Sequence, residues 1–150
     1  NDLQPVRYRE VIDAQETAIG ASCFLRIPLL GDYLIMPALI KTWRKLDRRL
    51  TLRRQASYLP ESIRHRTILE NLCGKIQSSV GWAHMHVDPN DEVGALLWHP
   101  LDLLSGVQVL IEAEAEYGLP AGTLDWELWA TRPLAELVDF IVAQEGKCRA

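Results

Sequence analysis

Between positions 76 and 131 the sequence has no lysine and no arginine. It also has no Cys-x-x-Cys pair, no Gly-x-Ser-x-Gly turn, no glycine-rich phosphate loop and no His-Glu-x-x-His. These absences remove the common signatures of zinc modules, serine hydrolases, nucleotide-binding loops and zinc proteases. Almost nothing alternates with the period of two that a half-buried strand requires. No repeat or low-complexity tract is visible. Three cysteines, Cys23, Cys73 and Cys148, are too few and too scattered for a disulfide framework, so reduced structural thiols in a cytoplasmic protein are expected. The chain opens on Asn1 rather than Met, and the residues alone leave a preceding segment open.

Of the 150 residues, 48% are hydrophobic and 24% charged, the balance of a globular chain able to bury a core without staples. The net charge of −4 is unevenly divided. Residues 1–75 hold 13 Lys/Arg against 8 Asp/Glu, and residues 76–150 hold 3 against 12. Such a division predicts either two functional faces or an N-terminal part that docks on the acidic part.

The pattern predicts helices. Residues 5–21 place Tyr8, Val11, Ile12 and Ile19 on roughly one side, with Pro5 suited to a first turn. Residues 22–43 are apolar enough to raise a membrane span. However, Arg26 and Asp32 would be costly within a bilayer, and Pro28, Gly31 and Pro37 are expected to break the helix. A helix opening near Pro37 carries Leu39, Ile40, Trp43, Leu46 and Leu50 as an apolar stripe. Ser62 is the candidate cap of the next helix, with Ile68, Leu69, Leu72 and Ile76 inward. A long connection follows, with Asp88-Pro89-Asn90-Asp91 as its turn chemistry. Pro100 is expected to start an acidic helix whose inner face is Leu103, Leu104, Val107, Leu110 and Ile111, with Glu112, Glu114 and Glu116 outward. Gly118-Leu119-Pro120 ends it; Thr123 or Asp125 caps a short helix; Thr131 caps a last helix with Leu134, Leu137, Val138 and Ile141 inward.

This order of a helix, a long loop, an acidic helix, a short helix and a closing helix resembles an acyl or peptidyl carrier protein over about residues 62–144. The likeness is most specific in "EAEYGLPAGTLDWELWATRPLAELVDFI". There Tyr117 stands for the family's aromatic, and Pro120, Leu137, Val138, Asp139, Phe140 and Ile141 match directly. The resemblance implies an all-α, carrier-protein-like four-helix bundle at 62–146 with an N-terminal helical extension at 1–61. Counting back from Tyr117, the family's Asp-Ser-Leu signature falls on Asp102, Leu103 and Leu104. In carriers that serine accepts phosphopantetheine. Leucine has no nucleophilic oxygen, so no cofactor is expected at the usual position. Ser105 is the alternative attachment point, but it lies two residues, about 200° of helix, further on and lacks the preceding Asp.

The lack of catalytic motifs favours a non-enzymatic protein, and the resemblance implies an acyl-chain or lipid pathway as its setting. Its partner would be a protein with a basic surface, met by Glu112, Glu114 and Glu116 within the long segment free of positive charge. Trp98, Trp126 and Trp129 fall in the same segment, and tryptophan is enriched among interface anchors, although at least one of them is expected to plug the core. A second reading makes the run 41–66, and within it Arg44, Lys45, Arg48, Arg49, Arg53 and Arg54, a surface for nucleic acid or anionic membrane. Pairing of those cations with the acidic half, or between copies of the chain, is the competing explanation. His84 and His86 beside Cys73 and Asp88 lack the spacing of a zinc site, and no metal is expected.

Overall fold

The computed structural model describes residues 4–25, 28–53, 58–102 and 104–148, and the side chains among them other than those of 21–25, 28–35 and 148. Leu103 and Arg54 lie outside the described residues. So do Arg26 and the side chains of Cys23, Asp32 and Cys148.

The fold is all-α. Among the described residues there are seven helices, and the single β-type contact is an isolated bridge between Glu92 and Pro133. Helices α1 (Tyr8–Leu25) and α2 (Pro28–Leu52) pack on each other along their length. Glu10 near the start of α1 meets Arg49 near the end of α2, so the two run antiparallel. The apolar region is broken just before Pro28, as expected: α1 ends at Leu25 and Pro28 occupies the first position of α2, where its missing N–H is harmless. Pro37 is a correction. It lies inside α2, which runs unbroken from Pro28, nine residues upstream of the expected start. Among the described residues no helix is long and apolar enough to cross a membrane.

Helices α3 (Ile63–Val80), α5 (Leu104–Glu116) and α7 (Leu134–Cys148) form the second group, with α3 packed against both others. Ile68, Leu69, Leu72 and Ile76 of α3 are buried as their spacing predicts. So are Leu134, Leu137, Val138 and Ile141 of α7. Ser62 sits at the N-cap of α3 without a side-chain capping bond, and Gly81 closes that helix at φ 86°, which a side chain would disfavour. Between the groups lie two short helices, α4 (Val93–Leu97) and α6 (Trp126–Trp129). Asp125 caps α6, accepting from the N–H groups of Glu127 and Leu128.

One cluster of buried side chains runs through all of this, from Val6, Val11, Leu46 and Leu50 to Ile76, Leu96, Leu110 and Ile141. The segment 88–94 is where the parts join. The Asp91 carboxylate accepts from the Val6 N–H at 2.7 Å, from the Asp88 N–H at 2.8 Å, and twice from Arg53 Nη1 at 2.7 and 2.8 Å. The Asp91 carbonyl takes the Leu134 N–H at 2.7 Å, and the Pro89 carbonyl takes that of Ala135 at 3.1 Å. Thr131 therefore does not cap α7. Backbone carbonyls from a distant turn satisfy its first donors instead, a solution that local sequence cannot announce.

Candidate functional site

Helix α5 carries the features that the sequence assigns to recognition, but its orientation differs from the expected one. It starts at Leu104 rather than Pro100. The Asp102 carboxylate accepts from the N–H groups of Leu104 and Ser105 at 3.0 and 3.1 Å, the bonding of an N-cap. Pro100 lies before it in a bend where Leu101 N–H bonds His99 Nδ1 at 3.1 Å. The buried face is Gly106, Val109, Leu110, Ala113 and Glu114. At 100° per residue these positions share one side, and Leu104, Gln108, Ile111 and Ala115 share the opposite one. Leu104 is 76% exposed and Ile111 52% exposed, as is Leu101 just before the helix at 63%. Leu104 and Ile111 were expected inside, so the helix is turned.

The cause is close approach. A Cβ on Gly106 would fall 2.3 Å from the Leu97 carbonyl oxygen, so α5 lies with its backbone almost on the end of α4. Only the face that carries Gly106 allows that distance, and Leu104 and Ile111 on the opposite face go to solvent.

The three glutamates expected to form an acidic surface have three different environments. Glu112 is exposed and accepts from Gln108 of its own helix at 3.1 Å. Glu116 pairs with Lys75 at 2.7 Å and accepts from Asn71 at 2.5 Å. The hydrogen bond from Lys75 holds its carboxyl below the usual range and, reciprocally, raises the Lys75 ammonium. Glu114 points inward, a second correction. It is 7% exposed and accepts from the Gly122 and Leu124 N–H groups at 3.1 and 2.6 Å, which holds the turn after α5 closed. That turn begins with Gly118 at φ 65° and a bond from Leu119 N–H to the Glu114 carbonyl at 2.8 Å.

The tryptophans are mostly structural. Trp98 and Trp129 are buried; Trp129 packs tilted on Phe140 at 5.1 Å and lies under the Arg132 guanidinium. Trp126 is half-buried, edge-on to Tyr8. Tyr117 borders the bundle, and burial pushes its hydroxyl up to about 12.

The basic run is likewise divided. Arg49 is buried, bonding both Glu10 oxygens and the carbonyls of Gln4 and Pro5. Arg53 is 1% exposed and committed to Asp91. Lys45 lies 3.9 Å from Glu10, and of the five described residues only Arg44 and Arg48 are exposed cations with no ion pair among the described residues. Pairing of Arg53 with Asp91 in the acidic half, and of Arg49 with Glu10 inside the N-terminal half, thus uses two of the cations that a phosphate-binding surface would need. Sequence reasoning missed this hub because Asp91 looks like ordinary turn chemistry. Its distinguishing signal is only that it follows Asp-Pro-Asn.

His84 and His86 stack at 6.2 Å, and among the described residues no group of three or more His, Cys, Asp or Glu side chains converges on a common point. Cys73 is a free thiol that burial, reinforced by the charges of Asp91 and Glu70, pushes up to about 12.

The class defined by these observations is an all-α bundle with an uncovered apolar helix face beside acidic groups. No protein-family model, curated protein or solved structure matches the chain.

Proposed function

We propose that the protein is a non-enzymatic, carrier-like adaptor that binds a protein partner through the exposed face of α5. The observation that carries this reading is that Leu104 and Ile111 of α5, and Leu101 just before it, stand in solvent on the face opposite Gly106. Asp102 and Glu112 flank that face, and no lysine or arginine occurs from 76 to 131. The chemistry that fits is an amphipathic helix with a leucine-rich face and basic edges. Covering each large apolar side chain contributes about 1.5–3 kcal/mol. Association costs at least ~4 kcal/mol. The sum describes a transient complex.

The helix order from α3 to α7, with Asp102 as the cap of α5, supports a cytoplasmic acyl-chain pathway as the setting. No phosphopantetheine arm belongs at position 103. Ser105 is a poor substitute, because its hydroxyl is half-buried and donates to the Asp102 carbonyl at 3.2 Å.

The test uses a fluorescent helical peptide of Leu/Lys heptads and its Leu/Glu counterpart. The basic peptide should bind, more weakly at high salt, and Leu104→Ser with Ile111→Ser should reduce its affinity at least about tenfold. Equal binding of the acidic peptide, or full binding by the double variant, overturns the reading. Incubation with a phosphopantetheinyl transferase and coenzyme A should leave the protein's mass unchanged. A gain of the arm's mass would make it a true carrier through Ser105.

A further inference from the structure

Internal pairing leaves a strip of positive charge on α2. The side chains of Pro37, Lys41, Arg44, Lys45, Arg48 and Leu52 are all exposed. At 100° per residue they fall within about 100° of the helix circumference, over about 22 Å of its length. Leu46, Leu50 and Arg53, on the other side of the helix, are buried. The strip is therefore the solvent face of α2, with its cations set between two apolar ends.

The nearby acids are occupied elsewhere. Glu10 gives both oxygens to Arg49 and lies 3.9 Å from Lys45. The Asp47 carboxylate accepts the Ala83 N–H at 2.9 Å, away from the strip. Lys41, Arg44 and Arg48 have no ion pair among the described residues.

The solvent face of α5 has the opposite character. Leu101, Leu104 and Ile111 are exposed there, and so are Asp102 and Glu112 beside them, without an ion pair among the described residues. The two faces also agree in scale. Leu104 and Ile111 lie about 10 Å apart along α5, as Lys41 and Arg48 do along α2. Both faces are open in the single chain.

We infer that the basic helix taken by the α5 face is the α2 strip of a second copy of this chain. The inference rests on the α5 reading above and names its occupant. Lysine and arginine have apolar stems, so Lys41, Arg44 and Arg48 can cover Leu104 and Ile111 while their charged ends reach Asp102 and Glu112. Leu52 and Pro37 extend the apolar contact at either end. Pairing of like faces is opposed: α5 on α5 sets acids against acids, and α2 on α2 sets cations against cations. The contact is thus head-to-tail. Each copy in a dimer keeps one free face, so association continues past the dimer or closes a ring.

The experiment is sedimentation velocity on the full chain from about 10 μM to about 1 mM, at low and high salt. The weight-average mass should climb past that of a dimer with concentration and return towards the monomer in high salt. Two variants then separate the faces. One carries Lys41→Gln, Arg44→Gln and Arg48→Gln, which keep the helix propensity of α2. The other carries Leu104→Ser and Ile111→Ser. Each alone should stay monomeric, with native far-ultraviolet circular dichroism. Mixed in equal amounts, they should form a dimer of one copy of each and nothing larger, since each supplies the face that the other lacks. A native chain that stays monomeric at about 1 mM, a glutamine variant that still self-associates, or a mixture that remains monomeric would overturn the inference. The basic Leu/Lys peptide, added to the glutamine variant, tells which reading has failed. Binding there beside a monomeric native chain leaves the α5 face a basic-helix site and removes only its occupant; absence of binding removes both. The native chain's mass decides even where a variant fails to fold.

Discussion

At the scale of single residues, the Arg53–Asp91 pair is the most consequential contact. Burial pushes the Asp91 carboxyl up, against the opposing effects of the Asp88 and Val6 N–H groups and the Arg53 guanidinium. Asp91 alone would therefore disfavour the folded state as pH rises, and Arg53 offsets that penalty. Removing one member leaves the other charge buried, which costs about 3–5 kcal/mol. Arg53→Met should accordingly lower the urea midpoint far more than Arg44→Met, whose side chain is exposed. Similar losses from both variants would refute the hub. Cys73 gives a pH test with a definite sign. Its thiol ionises near 9.0 when unfolded and is pushed up to about 12 when folded. The unfolded chain releases that proton first, so this stabilisation is complete below pH 9 and is lost as pH rises from there towards 12. By pH 10 native stability should have fallen, relative to Cys73→Ala, by roughly 1 kcal/mol against the same comparison at pH 7. Urea unfolding of both chains at the two pH values measures the difference.

At the scale of elements, α5 shows where sequence periodicity succeeds and where it fails. Most helices were legible, although α4 lies inside the expected long connection and α2 begins nine residues before its expected start. In α3 and α7 the buried stripe was legible too, because there the largest apolar residues fill the space between helices. In α5 that rule inverts. Leu104 and Ile111 look like core, but the Leu97 carbonyl stands where only Gly106 fits, and a contact distance is not written in apolar spacing. Gly106→Ala tests this directly. Ala favours an isolated helix by about 1 kcal/mol over Gly. Here the added methyl meets backbone that cannot swing aside, so the protein should instead lose on the order of 1–3 kcal/mol in thermal unfolding. A rise in Tm would remove the explanation for the helix's orientation. Glu114 was illegible for a related reason. A glutamate in an acidic run reads as solvated, and its two backbone donors lie beyond a turn, eight and ten residues away.

At the scale of the whole molecule, the uneven charge of the sequence becomes an internal match. Arg7 meets Glu92, Arg53 meets Asp91 and Arg64 meets Glu145 across the two halves. The basic N-terminal part is thereby joined to the acidic part, with Val6, Val11, Leu46 and Leu50 buried in the same cluster as the α3–α7 side chains. Those four contribute about 1.5–3 kcal/mol each, a sum comparable with the whole stability of a typical domain, about 5–15 kcal/mol. A fragment of residues 62–150 would lose them. It would also leave Asp91 without Arg53 and without the Val6 N–H, and would expose Tyr8's contact surface on Gly94 and Trp126. Such a fragment should show reduced helix content and no cooperative thermal transition. Adding a peptide of residues 1–61 in trans should restore both in a concentration-dependent way, because the missing groups bind only the folded arrangement. Cooperative melting of the fragment alone, near the temperature of the full chain, would make the N-terminal hairpin an appendage.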